Sequence, residues 1–427
     1  MPVDPAVAPT DAPPPRLVWL MGLTNLAYGF AYAAILLTVP QMLRERGLDL
    51  PAINGIVSLA LFTSLFAFVL APLLDTLVSR RTWALGFLMT AAVGLFVLFN
   101  LPARSTMIGL LLPVLALCVS LFNTSMGGWL GASLPKSADK TIATWFNIGN
   151  GSGFGIGALV QFPLMHTLPA PFGALTIAGL VLLPLVLFTI MPPPDAGRSR
   201  IHESFGRLGG DIAQLVRQKA VLCILALFLL PCASFALTNT VGGLGSDFHT
   251  SPGVVDFANG IGTWAMAVAA SLVMQQVLKR VSPLAGYVGT GVVGALFTMA
   301  IVMMPHVAIV YVLAALGENF AQSAAFTAQN NIIFASIPEG SPLSATQFGL
   351  LQQAASVPLT YMEYLDGLGY DLPGAFHGVM GTFFTDAGIS LLACLAVAPL
   401  VRRWGHGHAL EVARLKLEEA EMNARGV

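Results

Sequence analysis

The residues best suited to chemistry are concentrated in one stretch, residues 316–348 (LGENFAQSAAFTAQNNIIFASIPEGSPLSATQF). An apolar segment carries a carboxylate, Glu318, followed by Asn319, Gln322, Gln329, Asn330 and Asn331. Helical spacing brings Glu318, Gln322 and Gln329 within about 40° of one another, on one face. If that helix enters the bilayer near His306, Glu318 lies roughly 16–18 Å deep, close to the middle of a ~30 Å hydrocarbon layer. An acid at that depth belongs in a bundle interior or a wet cavity, where it can load a proton from one side and release it to the other. Glu318 is therefore the expected proton-coupling group. Asn319, Gln322 and Gln329 are expected to bind solute beside it, with Asn239, Gln352 and Gln353 from other segments. No enzyme is expected: the seven histidines fall in loops or near segment ends, and neither H-E-x-x-H nor G-x-S-x-G occurs.

The elements that hold these residues are apolar helices. The 427-residue chain is 56% hydrophobic and 10% charged, with a mean hydropathy of +0.78. Soluble domains carry about 25% charge, so this is an integral membrane protein embedded in a lipid bilayer. Twelve apolar segments are expected to span, at 17–39, 53–74, 83–101, 106–130, 142–165, 172–191, 220–243, 254–278, 284–304, 307–335, 345–367 and 376–401. Their period is helical, which excludes a β-barrel. With both termini cytoplasmic, 17 of the 20 Lys and Arg residues face the cytoplasm, against Arg44, Arg46 and Arg104 outside. The expected divisions are a disordered tail at 1–15, a six-helix half at 16–191, a linker with an amphipathic helix at 192–219, a second half at 220–401, and a charged tail at 402–427. Four scattered cysteines and a net charge of −1 give no disulfide framework, no metal site, no cofactor site and no basic stripe for nucleic acid.

Further polar stripes could line a solute path. Asn25, Tyr28 and Tyr32 recur at i, i+3 and i+7 in the first segment, which suits either packing or solute contact. Asn123 sits mid-way along the fourth segment, and Asn147 and Asn150 lie in the fifth. Gly149, Gly153 and Gly157 form a face there that favours close helix approach over ligand binding. Asp75 ends the second segment, with Arg80 and Arg81 just beyond; they read either as a latch for one state of a moving transporter or as interfacial charges. Glu363 and Asp366 are expected near the outer surface as gate charges. Asp386, inside the last segment, has no expected role.

The two halves echo each other. Asn54-Gly55-Ile56 returns as Asn259-Gly260-Ile261. Ser133-Leu134-Pro135-Lys136 with Ala143-Thr144-Trp145-Phe146 returns as Ser336-Ile337-Pro338-Glu339 with Ala345-Thr346-Gln347-Phe348. A duplicated six-helix unit implies a site between halves and alternating access.

Twelve segments in two halves resemble the major facilitator superfamily. Within it, ENF at 318–320, SATQF at 344–348, APLLD at 71–75 and SDFHTSPGVV at 246–255 resemble the muropeptide permease (AmpG-type) and acetyl-coenzyme A transporter family. That resemblance implies an all-α bundle of twelve helices and a secondary transporter, many of its members being proton-coupled importers of cell-wall fragments or siderophores. It places Glu318, Asn319, Thr346 and Gln347 in matching motifs. Those carriers have charges in the fourth span where this chain has SLFNTSMGGWLGASL, so a multiply charged cargo fits less well. The expected partners are a medium-sized organic solute and protons, handled by a monomer in the inner membrane. An acyl-metabolite carrier and a non-transporting receptor of the same fold are the alternatives.

Overall fold

A computed structural model describes residues 17–48, 50–102, 105–169, 171–193, 210, 212–399 and 401. The two tails and most of the 192–219 linker lie outside these residues; of its expected amphipathic helix, residues 212–217 are described and are helical. The described chain is helical, with no strand among the described residues. In order, the helices are α1 (Val18–Glu45), α2 (Leu50–Leu65), α3 (Ala67–Leu74), α4 (Arg80–Asn100), α5 (Thr106–Ser133), α6 (Asp139–Thr167) and α7 (Phe172–Ile190). After the linker come α8 (Lys219–Phe228), α9 (Leu237–Thr240), α10 (Gly253–Val277), α11 (Pro283–Val302), α12 (Ala308–Ser336), α13 (Ser344–Tyr370) and α14 (Val379–Pro399).

Local chemistry explains the starts and breaks. Ser79, Ser105 and Ser282 cap α4, α5 and α11 by accepting from the backbone N–H of Thr82, Met107 and Ala285. In α1 the last turns before Pro40 open into a π-turn at Ala34–Thr38, because the proline ring displaces the carbonyl four residues back. Between α2 and α3 the chain bends by 42°. There Thr63 and Ser64 turn their hydroxyls back onto the Leu59 and Leu61 carbonyls, a bond that bends helices.

Eight helices among the described residues are long and apolar enough to cross a membrane, or nine if α2 and α3 form one bent span. Three expected spans fall outside that set. The 142–165 and 345–367 segments lie in α6 and α13, which have 29 and 27 residues and the length to cross but are diluted by glycine and amides. The 220–243 segment is not one helix. It stops at Phe228, and Leu229–Ala236 is non-helical before the single turn of α9. Pro231 lacks an N–H and drives Leu230 out of the helical region, and Phe235 follows at a φ of 50°.

The chain forms two compact units, one of residues up to Gln218 with Ile333–Gln353, the other of Lys219–Ile332 with residues from Ala354 on. In the first unit α1 lies against α6 along glycines. A Cβ on Gly22 would sit 2.7 Å from the Trp145 Cβ, one on Gly157 2.6 Å from the Ala33 Cβ, and one on Gly153 would run into the Leu26 carbonyl. The glycine face of α6 is thus a packing surface. Gly153→Leu is expected to cost about 1–3 kcal/mol or more by overpacking, read as a lower melting temperature of purified protein; an unchanged melt would refute the close approach. In the second unit Tyr311, Phe248, Phe383 and Val379 are buried together at the start of α12 and α14.

Candidate functional site

Glu318 is ten residues into α12 and 1% exposed, inside the second unit and away from lipid. The Thr298 hydroxyl of α11 donates to its Oε1, while Oε2 has no partner among the described residues. The neighbouring amides are committed differently from expectation. Asn319 donates to Ala315 O of its own helix, at 2.8 Å. Gln322 donates to Phe235 O at 3.2 Å and to the Thr238 hydroxyl at 2.6 Å. Asn239 donates to Glu363. Gln329 is buried, and Gln352 and Gln353 are half-buried on α13.

The Gln322 contact belongs to the broken segment. Carbonyls released by the break need donors, since no water reaches a lipid-buried loop. Tyr361 donates to Leu229 O at 3.0 Å, Cys394 to Cys232 O at 3.0 Å, and Gln322 to Phe235 O. Part of the expected solute-binding amide set therefore stabilises an interrupted helix.

One acid stands elsewhere than expected. Asp366 is 1% exposed, not a surface charge, because the last turns of α13 are covered by α14, whose Thr382 hydroxyl donates to Asp366 O. Asp386 is buried as well, near enough to Glu318 and Asp366 to act on both electrostatically.

In the first unit the polar stripe of α1 is divided. Asn25 is buried and donates to Phe146 O at 3.2 Å, tying α1 to α6 as a packing bridge. Tyr28 and Tyr32 are half-buried with ring centroids 4.7 Å apart, and the Tyr32 and Ser120 hydroxyls are 3.0 Å apart. Asn123 is buried with Oδ1 unpartnered among the described residues. Asn147 is buried and Asn150 half-buried on α6. Tyr28 and Tyr32 are the half-buried polar side chains of this stripe, and buried Ser120 of α5 meets the second of them.

The second feature of the first unit is a buried ion pair. Arg80 Nε and Nη2 lie 2.8 Å from Asp75 Oδ1, and Nη2 also donates to Ser341 O and Pro342 O, both at 3.0 Å. Asp75 in turn accepts from the N–H of Ala345 at 3.1 Å and of Thr346 at 2.7 Å, and from the Thr346 hydroxyl at 2.7 Å. These are orphan donors of the first turn of α13, where a carboxylate is favoured by the helix dipole. Arg81, expected as a third member, takes no part; one step along α4 turns its side chain about 100° away.

A family profile described as Major Facilitator Superfamily matches residues 21–358. The chain belongs to the major facilitator superfamily. No curated protein matches the sequence. Among solved structures, the chain is similar to the proton:xylose symporter XylE bound to 6-bromo-6-deoxy-D-glucose, with 14% identity, 90% of this chain and 95% of that one covered, and a TM-score of 0.65. It is also similar to a bacterial homologue of the iron transporter ferroportin (14%, 92% and 100% covered, TM-score 0.64) and to the human organic anion transporter MFSD10 (17%, 89% and 98% covered, TM-score 0.63). These likenesses establish the all-α major facilitator fold, in agreement with the family match.

Elsewhere in the first unit, two loops that echo in sequence meet. Lys136 Nζ donates to Phe334 O at 2.9 Å and to Ile337 O, its backbone N–H donates to Glu339 at 2.9 Å, and Gly340 N donates to Ala132 O at 2.8 Å. Asp139, before the 142–165 span, lies 3.8 Å from Lys136. Burial pushes its carboxyl up to about 6, with Lys136 opposing and Glu339 reinforcing. A raised acid favours the folded state when protonated. Its stabilisation is present below the ordinary carboxylate range, near 4, and is lost as pH rises through about 6. Asp139→Asn is expected to flatten the stability of purified protein across that window; an unaltered pH profile would contradict the burial of this acid. Sequence reading placed these loops in register but had no signal that they touch.

Proposed function

We infer that this chain is a secondary active transporter of the major facilitator superfamily that couples inward movement of a medium-sized organic solute to protons through Glu318. The observation that carries this is a carboxyl ten residues into a 29-residue apolar helix, 1% exposed, held by the Thr298 hydroxyl with one oxygen unpartnered among the described residues. Such a group persists in a membrane where it serves a pathway. The solute-contact candidates are Tyr28, Tyr32, Asn123, Asn147 and Asn150 in one half and, taken separately, Gln329, Gln352 and Gln353 in the other. Asn25, Asn319, Gln322 and Asn239 instead hold backbone and side-chain neighbours within their own halves. Asp75 and Arg80 gate by holding the start of α13. Twelve spans in halves at 16–191 and 220–401, joined by the 192–219 linker, give a monomer in the inner membrane with both termini cytoplasmic.

The motifs shared with the muropeptide permease and acetyl-coenzyme A transporter family favour a cell-wall fragment or a siderophore. No Lys or Arg stands among the buried side chains of the second unit's described residues, which weighs against a coenzyme A ester. The test is a thermal-shift screen of the purified protein against muropeptides, siderophores and acyl-coenzyme A esters, followed by uptake of any hit into proteoliposomes. Accumulation of one class under an imposed pH gradient is expected. Accumulation that ignores the gradient would overturn proton coupling, and binding without transport would make the protein a receptor.

A further inference from the structure

Three carboxyl groups of the second unit are buried with no Lys or Arg among the buried side chains of that unit's described residues. Glu318, Asp366 and Asp386 are 1%, 1% and 3% exposed and come from α12, α13 and α14. Both oxygens of Asp366, Oδ1 of Asp386 and Oε2 of Glu318 lack a hydrogen-bond partner among the described residues. Asp386 acts electrostatically on Glu318, and both act on Asp366. Three carboxylates buried together repel one another and are poorly solvated. Protons held among them relieve both costs, because a protonated carboxyl supplies the O–H donor that a neighbouring carboxylate oxygen lacks.

Their depths are ordered. The end of α13 and the starts of α12 and α14 share one apolar cluster, in which Val310, Tyr311, Val379 and Phe383 are buried and Tyr370 packs against them. Asp366 lies four residues before the end of α13, Asp386 seven into α14 and Glu318 ten into α12. At about 1.5 Å per residue they step inward from that end at about 6, 10 and 15 Å. No trio of His, Cys, Asp and Glu among the described residues is gathered tightly enough for a metal ion. The three acids thus form a stepped series running inward from one end of the unit, each within electrostatic reach of another.

We propose that Asp366 and Asp386 are proton-relay residues joining Glu318 to the surface at the Tyr370–Val379 end, the three acids titrating as one unit. The proposal rests on Glu318 as the coupling group. Protonated from that surface, Asp366 gives its proton to a carboxylate oxygen of Asp386 and becomes anionic. Asp386 then gives the proton to Glu318 and returns to its carboxylate. One proton moves at each step, and no other reactant is needed.

The groups facing this path are few. Glu363, on α13, is held by Asn239. Thr298 of α11 donates to Glu318. At the surface Tyr370 donates to Asp247 at 3.2 Å, His377 lies against Tyr370 and His306 against Phe248.

The experiment is infrared difference spectroscopy of the full-length protein in liposomes, following the carbonyl stretch of protonated carboxyls through a pH titration. Wild type would be compared with Glu318→Gln, Asp366→Asn and Asp386→Asn. A titrating signal is expected, and either Asn variant should move the midpoint of the remaining acids by about one pH unit or more, the mark of coupled sites. Asp386→Glu should restore coupled titration, which a merely structural role would not require. If Glu318→Gln removes a titrating signal whose midpoint neither Asn variant moves, the relay is wrong while the coupling role stands. If Glu318→Gln leaves the titration unaltered, the coupling role itself is wrong. Carboxyl signals that never titrate would overturn both. Should an Asn variant fail to fold, Asp366→Ser or Asp386→Ser, which also removes the acid and in a smaller volume, gives the same midpoint comparison.

Discussion

Replacing Asp75 with alanine is expected to destabilise the protein by about 3–5 kcal/mol, the cost of leaving a buried charge without its partner. Arg80 is 2% exposed, so it cannot recover water when the carboxylate is gone. Its acceptors besides Asp75 include the carbonyls of Ser341 and Pro342, which carry no full charge. The same substitution frees the Ala345 and Thr346 N–H groups and the Thr346 hydroxyl, so the first turn of α13 should fray. Arg80→Ala should also destabilise, by exposing Asp75 to the mirror-image problem. Removing both should cost less than the two single losses combined, because neither charge is then stranded. Thermal unfolding of the four proteins in detergent measures this cycle. Additive single losses would show that the pair does not act as a unit.

Glu318→Gln is expected to abolish accumulation against a gradient while leaving binding and passive equilibration intact. Glutamine keeps the length of the side chain and an oxygen that accepts from the Thr298 hydroxyl, and it removes only the titratable proton. Affinity for the solute found by screening should therefore stay within about 1 kcal/mol, roughly fivefold. In proteoliposomes with an acidic exterior, the wild type should concentrate solute. The variant should stop at equal concentrations on the two sides. Full gradient-driven accumulation by the variant would remove Glu318 from the coupling step. Loss of binding together with transport would instead make it a solute contact.

What the amino-acid sequence determined by itself was whatever depends on near neighbours. Apolar runs of spanning length specify membrane helices. The spacing of Gly149, Gly153 and Gly157 specifies a surface that a second helix can approach, because side-chain volume on one helix face is a local property. Glu318 was legible for the same reason: one charge among apolar residues stands out without knowledge of its partners. The interruption after Phe228 was legible in principle from Pro231, but the apolar run around it reads as continuous when hydropathy alone is averaged.

Only the tertiary structure decided which groups meet. Asp75 reaches Ala345 across 270 residues of sequence, and nothing in the APLLD segment announces that its carboxylate caps a distant helix. Asp366 reads as a surface charge because it lies close to the end of its own segment. The packing of α14 over that turn buries it and brings Asp386 beside it. Gln322 reads as a free amide on a polar face until Phe235 presents a carbonyl that must be satisfied. Hydropathy and period are carried by each residue alone. Desolvation and pairing are set by whatever the fold puts on the other side.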